Sequence, residues 1–571
     1  MRELARRLLQ RPKTAVQLLL STVMINILGF ASPVFVMLIL SVYINSGFHE
    51  TLVTLTLGML IAMLMQLAFR GARSLWAGEV SREPDRMLWN RLFEVMARSR
   101  ASALERVPPQ YKSELAGRVQ TIQDAYGATN VCAVFDAPFA LLFVAAAFWL
   151  SPVLGFLALL GIIATLILGM MNVKLAKKRG DELRKASAAQ KATADSAFRG
   201  AETVRAFRAN RILAKSWFEL EEKAAGLRKR LSALKGRQTS LLFTTNIMIR
   251  VLVYSLGAME VVHGNLSMAG LIVGNIVVSR AMRQAGGLVG ASFRFSQART
   301  AFSELDEFFR LPMEPPSGTA LREYKGGLSF KDIGFAWRGS AGPLFESLNL
   351  EVPPGSVVVV HGDNGTGKTT LARILAGLLQ PTRGDVAVDG INMRQIAPEW
   401  WSRQLFYMPQ EPTFLSATIR ENILAANPGL NDKQLANIVD SCGLDRFLSD
   451  LENGLDTEID AMGRNLAVGF KKRLALARAM AVDGRLALLD EPLEGLDADG
   501  AHAISATISR LIRRGTTIVA FSHDVNIIKG AHYIIDLNKK PVPGVAAAKN
   551  RRQTGPGPAK RDRDDGSKKF Q

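Results

Sequence analysis

The segment Gly362 to Thr369, GDNGTGKT, has the residue types that hold phosphate. Gly362, Gly365 and Gly367 let successive backbone N–H groups close around an anion, with Asp363, Asn364 and Thr366 completing the loop. Lys368 is positioned to reach the β and γ phosphates of a nucleotide, the Thr369 hydroxyl to ligate Mg²⁺, and Thr370 continues into the next element. A second chemical signal lies downstream at Leu486 to Glu491, LALLDE, an apolar strand ending in two carboxylates. A carboxylate at a strand end can hold a metal's water shell while its neighbour takes a proton from attacking water. Asp490 is the expected metal residue and Glu491 the expected general base.

Such residues need a scaffold of a particular order. Ser356 to His361 is a β-branched run, the glycine-rich loop follows it directly, and Leu371 to Leu379 has helical spacing. Strand, loop and helix in that order are the context a phosphate-binding loop requires. Alternating strand and helix signals begin only after Leu311-Pro312 and the Pro-Pro-Ser-Gly stretch at 315–318, so a domain boundary is expected there.

The first half of the chain has a different character. With 571 residues and 48% hydrophobic content, the sequence has room for two or three domains, and its apolar runs lie before about residue 290. Thr14 to Tyr43, Leu52 to Phe69, Val131 to Leu150, Val153 to Val173 and Leu241 to Val262 approach or exceed the roughly 18 residues needed to cross a bilayer. A sixth, Leu266 to Val278, is weaker because Arg280 and Arg283 follow closely. The connections Asn45 to Glu50, Ser151-Pro152 and His263 to Ser267 contain no lysine or arginine, whereas Met1 to Lys13 holds five and Lys174 to Arg237 holds eighteen. Basic residues accumulate on the cytoplasmic side, so six spans with both termini inside satisfy every loop. The first span is too long for a cleaved signal and reads as an anchor.

The formal net charge of +20 sits largely in those basic loops and in the tail, where anionic lipid headgroups are the natural partner rather than nucleic acid. Cys132 and Cys442 are the only cysteines, which excludes a disulfide framework and leaves both as packing residues. Residues 541–571 are basic and poor in apolar side chains, and they are expected to be disordered. Asp136 and Arg250 lie within spans; interhelical pairing is expected for Asp136 and a cavity-lining place for Arg250.

Residues 326–540 resemble the ABC transporter ATPase domain, an α/β P-loop fold. The resemblance implies ATP as the nucleotide, with Mg²⁺. It places Trp337 in FAW against the adenine. Gln410 in YMPQ would sense the γ phosphate and metal, Glu491 would be the catalytic glutamate, Asp497 would belong to the loop crossing a dimer, and His523 in FSHD would contact the γ phosphate. Where the family has Leu-Ser-Gly-Gly-Gln, this chain has Leu466, Ala467, Val468, Gly469 and Phe470. That segment would cap the nucleotide bound to the opposite subunit. Ala467 lacks the serine's hydrogen bond, which to a charged group contributes about 1.5–3 kcal/mol, or roughly 10- to 150-fold. Val468 restricts a backbone that glycine leaves free, while the helix N-terminus still offers N–H groups. A second departure is TEIDAMG at Thr457 to Gly463, where Asp460 and Ala461 stand in a usual coupling segment.

Six spans ahead of one such ATPase resemble a half-size ABC exporter of the type I fold, which works as a dimer. ASPVFVMLILSVY (Ala31 to Tyr43), FDAPFALLF (Phe135 to Phe143), GAETVRAF (Gly200 to Phe207) and GAMEVVHGNLSMAGLIVGNIVVSRA (Gly257 to Ala281) resemble the inner-membrane ATPases of type I secretion systems, although the proline frequent after the SRA motif is absent. The resemblance implies export of an unfolded polypeptide through a periplasmic adaptor and outer-membrane channel, from the bacterial inner membrane. No peptidase-like extension precedes Met1 to Lys13, so leader-peptide cleavage is not expected. The expected layout is a basic N-terminus at 1–13, a six-helix transmembrane domain at 14–311, a linker at 312–325, the ATPase domain at 326–540 and the tail at 541–571. A homodimer is the family habit. A heterodimer with a second half-exporter bearing an intact signature also fits the altered segment, and a non-hydrolysing membrane scaffold is the alternative of another class.

Overall fold

The computed structural model describes residues 2–315, 317–337, 339–340, 342–460, 463 and 466–547. The expectation for Ala461 and the tail beyond Ala547 lie outside them. The chain divides into two compact units, one of residues 1–99 and 103–312, the other of 100–102 and 313–571.

The first unit is helical. Its helices include α1 (Pro12–Leu28), α2 (His49–Arg98), α3 (Ala128–Asp136), α4 (Phe139–Leu150), α5 (Pro152–Arg199), α6 (Asn210–Val262) and α7 (Met268–Phe309), with Pro109–Ala125 between α2 and α3. Among the described residues, five helical stretches are long and apolar enough to cross a membrane, namely Pro12–Ser46, His49–Arg98, Tyr111–Leu150, Pro152–Met171 and Asn210–Val262. The first is broken by turn residues Gly29 and Phe30 and contains a π-helical turn, Ile39–Tyr43. Helix α7 falls outside that set because Asn275, Arg280, Arg283 and Gln284 interrupt its apolar run. It is nevertheless packed along its whole length, with buried positions from Ala269 to Phe308. Its Val277, Val278, Ala281 and Met282 meet Phe143, Leu154, Ala158 and Val253 from α4, α5 and α6 in one apolar core. Asp136 behaves as expected, since Arg73 of α2 donates to its Oδ1 at 2.6 Å. Arg250 is exposed on α6.

The second unit contains two larger sheets and a short antiparallel pair, Ala417–Thr418 with Glu458–Ile459. Strands β1 (Leu328–Phe335), β2 (Phe345–Val352), β4 (Arg383–Val388) and β5 (Ile391–Asn392) form an antiparallel sheet in the order β2-β1-β4-β5. The other sheet runs β10-β9-β3-β8-β7-β6, from β3 (Val357–His361), β6 (Leu405–Met408), β7 (Leu486–Asp490), β8 (Thr517–Phe521), β9 (Tyr533–Asp536) and β10 (Gly544–Ala547). Its pairs are parallel except β9 with β10. All residues of β7 and β8 are buried, as a parallel sheet covered on both faces demands.

Two expected boundaries move. In the segment expected as a linker at 312–325, Thr319 bridges to Ile396 and Tyr324 is buried against the antiparallel sheet's core, so that stretch belongs to the second unit. At the other end, residues 544–547 add an edge strand beyond the expected limit at 540. Backbone pairing alone suffices there, and a Gly-Val-Ala-Ala stretch gives no alternating signal.

Candidate functional site

Strand register sets the site. In the parallel sheet Phe521 pairs with Asp490 on one side and with Val360 on the other. The C-terminal ends of β3, β7 and β8 therefore lie level, and the loops that leave them meet at one edge, where open α/β sheets bind ligands. The phosphate-binding loop leaves β3, the Asp490-Glu491 pair ends β7, and His523 follows β8.

The loop passes from β3 into α8 (Lys368–Leu375) through Gly365 at φ 82° and Gly367 at φ 112°. A Cβ at Gly367 would also stand 2.8 Å from a Leu344 methyl carbon, so this position needs glycine twice over. The Asp363 N–H donates to Asn538 Oδ1 at 2.8 Å, and the Thr366 hydroxyl donates to the Asp363 carbonyl at 2.8 Å. Lys540 donates to the Thr366 carbonyl at 2.8 Å. Asp363, Asn364, Gly365 and Thr369 are exposed, whereas Gly362, Gly367, Lys368 and Thr370 are buried.

Lys368 joins three groups. Its Nζ donates to the Gly362 carbonyl at 2.6 Å, lies 3.2 Å from Glu491 Oε1, and stands 3.4 Å from His523 Nδ1. His523 Nε2 is itself 3.2 Å from Glu491 Oε1. The structure thus gathers three expected phosphate and water chemistry residues within ion-pair range. Glu491 is left-handed, at φ 44°, and its N–H donates to the Phe521 carbonyl at 2.9 Å. A non-glycine residue held there is strained, and such strain concentrates at functional positions.

Asp490 is 1% exposed, and neither of its carboxylate oxygens has a hydrogen-bond partner. Burial pushes its pKa up to about 6, with the Thr369 hydroxyl the largest opposing influence. An unpartnered buried carboxylate beside a threonine hydroxyl is an oxygen donor set that fits Mg²⁺, a hard cation. Bound there, the ion would supply charge neutralisation for phosphate oxygens. Gln410, the third expected metal residue, donates to Glu494 Oε2 at 3.2 Å, which leaves its amide oxygen as the acceptor.

The altered signature lies around a second feature. Ala467 is the N-cap of α9 (Val468–Met480) and offers no side-chain cap. Val468 is 60% exposed and, with Gln410, Lys471, Lys472, Glu494 and Gly495, lines a cavity of about 550 Å³. Gly469 meets nothing that would obstruct a side chain.

Two α9 residues, Lys472 and Arg473, tie this segment to the site. Lys472, 4% exposed, donates to the Glu491 carbonyl at 3.0 Å and also to the Glu494 carbonyl. Desolvation lowers its pKa, and the carboxylates of Glu494, Glu491 and Asp490 oppose that effect. Arg473, 5% exposed, donates to the Gly443 carbonyl at 3.0 Å and to Asp497 Oδ1 at 2.7 Å. Asp497 also caps α10 (Ala498–Arg513) by accepting the Gly500 N–H at 2.9 Å. These two bonds, the Gly500 N–H first, hold its carboxyl below the usual carboxylate range. Trp337 stands apart on the loop after β1, 47% exposed, with its ring edge-on to Phe335 at 5.0 Å.

Residues 16–285 match the family model described as the ABC transporter transmembrane region, and residues 345–494 match the one described as ABC transporter. The alpha-hemolysin translocation ATP-binding protein HlyB of Escherichia coli O157:H7 is 25% identical over 521 residues, 90% of this chain and 72% of that protein. The toxin RTX-I translocation ATP-binding protein of Actinobacillus pleuropneumoniae is 24% identical, over 92% of this chain and 74% of its own. The leukotoxin translocation ATP-binding protein LktB of Mannheimia haemolytica is 25% identical over the same shares. A solved bacterial Atm1-family ABC exporter with ATP bound superposes with a TM-score of 0.80 at 18% identity, covering 95% of both chains, which shows the fold. With both domain models matched in order, the chain belongs to the ABC transporters as a multi-pass half-size exporter with an ABC-type ATPase, related to the type I secretion proteins.

Proposed function

We propose that this exporter moves a polypeptide out across the bacterial inner membrane in a type I secretion assembly, working as a dimer that binds Mg²⁺ and ATP. The secretion reading is supported by the toxin-translocation relatives, and the membrane placement by the asymmetry of basic loops, with both termini on the cytoplasmic side. A periplasmic adaptor and an outer-membrane channel are the partners this reading requires.

The observation that carries the catalytic part is the meeting of Lys368, Glu491 and His523 beside the unpartnered carboxylate of Asp490. In this reading Lys368 and the loop amides of Gly362 to Thr370 hold the phosphates. Thr369, Asp490 and Gln410 hold the Mg²⁺ shell. Glu491 orients and deprotonates water, and His523 donates to the γ phosphate. Trp337 stacks on adenine, and Ala467, Val468 and Gly469 face the nucleotide of the opposite subunit.

The test is Mg²⁺-dependent ATP hydrolysis by the full chain in lipid vesicles. Glu491→Gln should reduce turnover to background while ATP binding persists. Background activity of the unaltered chain, alone and beside a neighbouring ABC half-exporter, would overturn the transport reading. A heterodimer is the second reading, favoured by the uncapped Ala467 and the exposed Val468. It predicts turnover only when a partner with an intact signature is present.

A further inference from the structure

The transmembrane unit contains a basic cavity that the ATP chemistry does not use. It measures about 280 Å³ and is lined by Asn26, Arg70, Arg73, Asp136, Arg280 and Arg283, among others. Four guanidinium groups thus face one carboxylate, and Arg73 already pairs with that carboxylate at 2.6 Å. Asn26 also donates to Asp136 at 3.2 Å, and Gln284 donates to Asn26 at 2.6 Å.

The cavity is built rather than incidental. Arg280 donates to the Gly29 carbonyl and lies over the Phe143 ring at 5.4 Å. A Cβ on Gly29 would stand 2.8 Å from its guanidinium carbon, so the glycine admits this approach. Neither contact supplies a negative charge. Among the described residues no carboxylate pairs with Arg70, Arg280 or Arg283. Charge at membrane depth is expensive without compensation, so this cavity has an unmet demand for an anion.

Position along the helices says what kind. At 1.5 Å per residue, Arg70 lies about 31 Å along α2 from His49, and Asp136 about 22 Å from Ser151. Arg280 and Arg283 lie about 20 and 24 Å from Ser267. In a hydrocarbon layer of about 30 Å, the cavity occupies the third farthest from the uncharged connecting loops and reaches the headgroup level at Arg70. Leading into it, α2 exposes apolar side chains around its circumference, Ile61, Met63 and Met65 included, and the stripe of these that ends one turn before Arg70 is Leu60, Leu64 and Leu67, 53%, 67% and 68% exposed. A charged cavity continuous with an apolar stripe matches an amphiphile. We infer that this cavity holds the phosphate headgroup of an anionic phospholipid, with its acyl chains along Leu60, Leu64 and Leu67. Basic pockets between helices at the cytoplasmic side bind such headgroups.

The experiment places the full chain, in its Glu491→Gln form to remove turnover, in nanodiscs of phosphatidylcholine with a minor fraction of phosphatidylglycerol. Native mass spectrometry then counts retained phosphatidylglycerol. The unaltered cavity should retain it over phosphatidylcholine, and R70Q with R283Q should lower retention about 10- to 30-fold. R70K with R283K should keep most of it, which shows that loss in the glutamine variant is not misfolding. Equal retention in the glutamine variant overturns the inference, whether a second copy covers the stripe or water satisfies the arginines. Displacement by inorganic phosphate alone, or by a glutamate-rich peptide, overturns the lipid assignment in favour of a free anion or a polypeptide.

Discussion

Lys472 Nζ donates to the backbone carbonyl of Glu491 at 3.0 Å, so the helix that starts at the altered signature is fastened to the residue expected to activate water. The same ammonium reaches the Glu494 carbonyl, and Glu494 in turn accepts from Gln410. One buried charge thus connects three segments that must be in register for hydrolysis.

Lys472→Met should therefore impair turnover more than nucleotide affinity. The buried Glu491 carbonyl would lose its donor, a loss of about 1–3 kcal/mol, and the more exposed Glu494 carbonyl would lose the same ammonium. The expected outcome is a fall in kcat of about tenfold or more with KM for ATP little changed, since no contact of Lys368 with the phosphate-binding loop is removed. Lys472→Gln keeps a donor and should recover part of the rate. Steady-state ATPase measurements on both variants check this.

Asp490→Asn should separate stability from activity. An acid whose folded pKa is raised, here from 3.8 to about 6, is a cost of folding at pH above about 6 and no cost below 3.8, where it is protonated in both states. That shift corresponds to about 3 kcal/mol at neutral pH. The variant should therefore melt a few degrees higher than the unaltered chain at pH 7.5 without Mg²⁺ or nucleotide, and the advantage should vanish near pH 4. Its Mg²⁺-dependent hydrolysis should be lost. An equal or lower melting temperature at pH 7.5 would refute the electrostatic cost assigned to this carboxylate.

How much of this was readable in advance depended on whether a residue's job is local. The loop at 362–369 was legible because a turn around phosphate needs glycine at fixed positions, and Gly365 and Gly367 adopt the positive φ that demands it. Asp490 and Glu491 were legible as the end of an apolar run. Lys472 was not, because α9 is buried on several faces, from Phe470 and Lys472 to Leu474, Leu476 and Ala477, so no stripe of polarity marks which basic residue turns inward. The basic cavity was equally hidden. Arg280 and Arg283 read only as the weak end of a span, and their companions Arg70 and Arg73 lie some 200 residues earlier in the chain. The edge strand at 544–547 forms by backbone pairing, which leaves no side-chain pattern to read.

Cys442 should be inert in the folded protein. It is fully buried, and burial pushes its thiol up to about 12. Since the thiolate is the reactive form, only about one thiol in ten thousand would be ionised at pH 8. Maleimide labelling followed by peptide mass spectrometry should find Cys442 unmodified until the second unit is unfolded by denaturant. Labelling under native conditions would show that the Leu435, Val439 and Leu474 packing around it opens readily.

The altered signature gives the prediction with the widest reach. Ala467 sits at the N-cap of α9 with backbone angles of φ −59° and ψ 148° and no side-chain oxygen to accept an N–H of the first turn. Ala467→Ser would supply that oxygen, which stabilises a helix by about 0.5–2 kcal/mol, and would restore a donor toward a facing phosphate. Val468→Gly would remove the exposed side chain from the cavity that Gln410, Lys471 and Glu494 line. If the chain pairs with itself, each altered signature serves a working site, and the double variant should raise ATPase turnover of the purified protein about 10-fold or more. If it pairs with a half-exporter whose signature is intact, this segment faces the other chain's nucleotide. The same substitutions would then leave turnover driven by Glu491 nearly unchanged while the melting temperature still rises from the new cap. Measuring rate and melting temperature on one preparation therefore distinguishes the two assemblies, because the stability gain reports that the substitution took effect and the rate reports which site it serves.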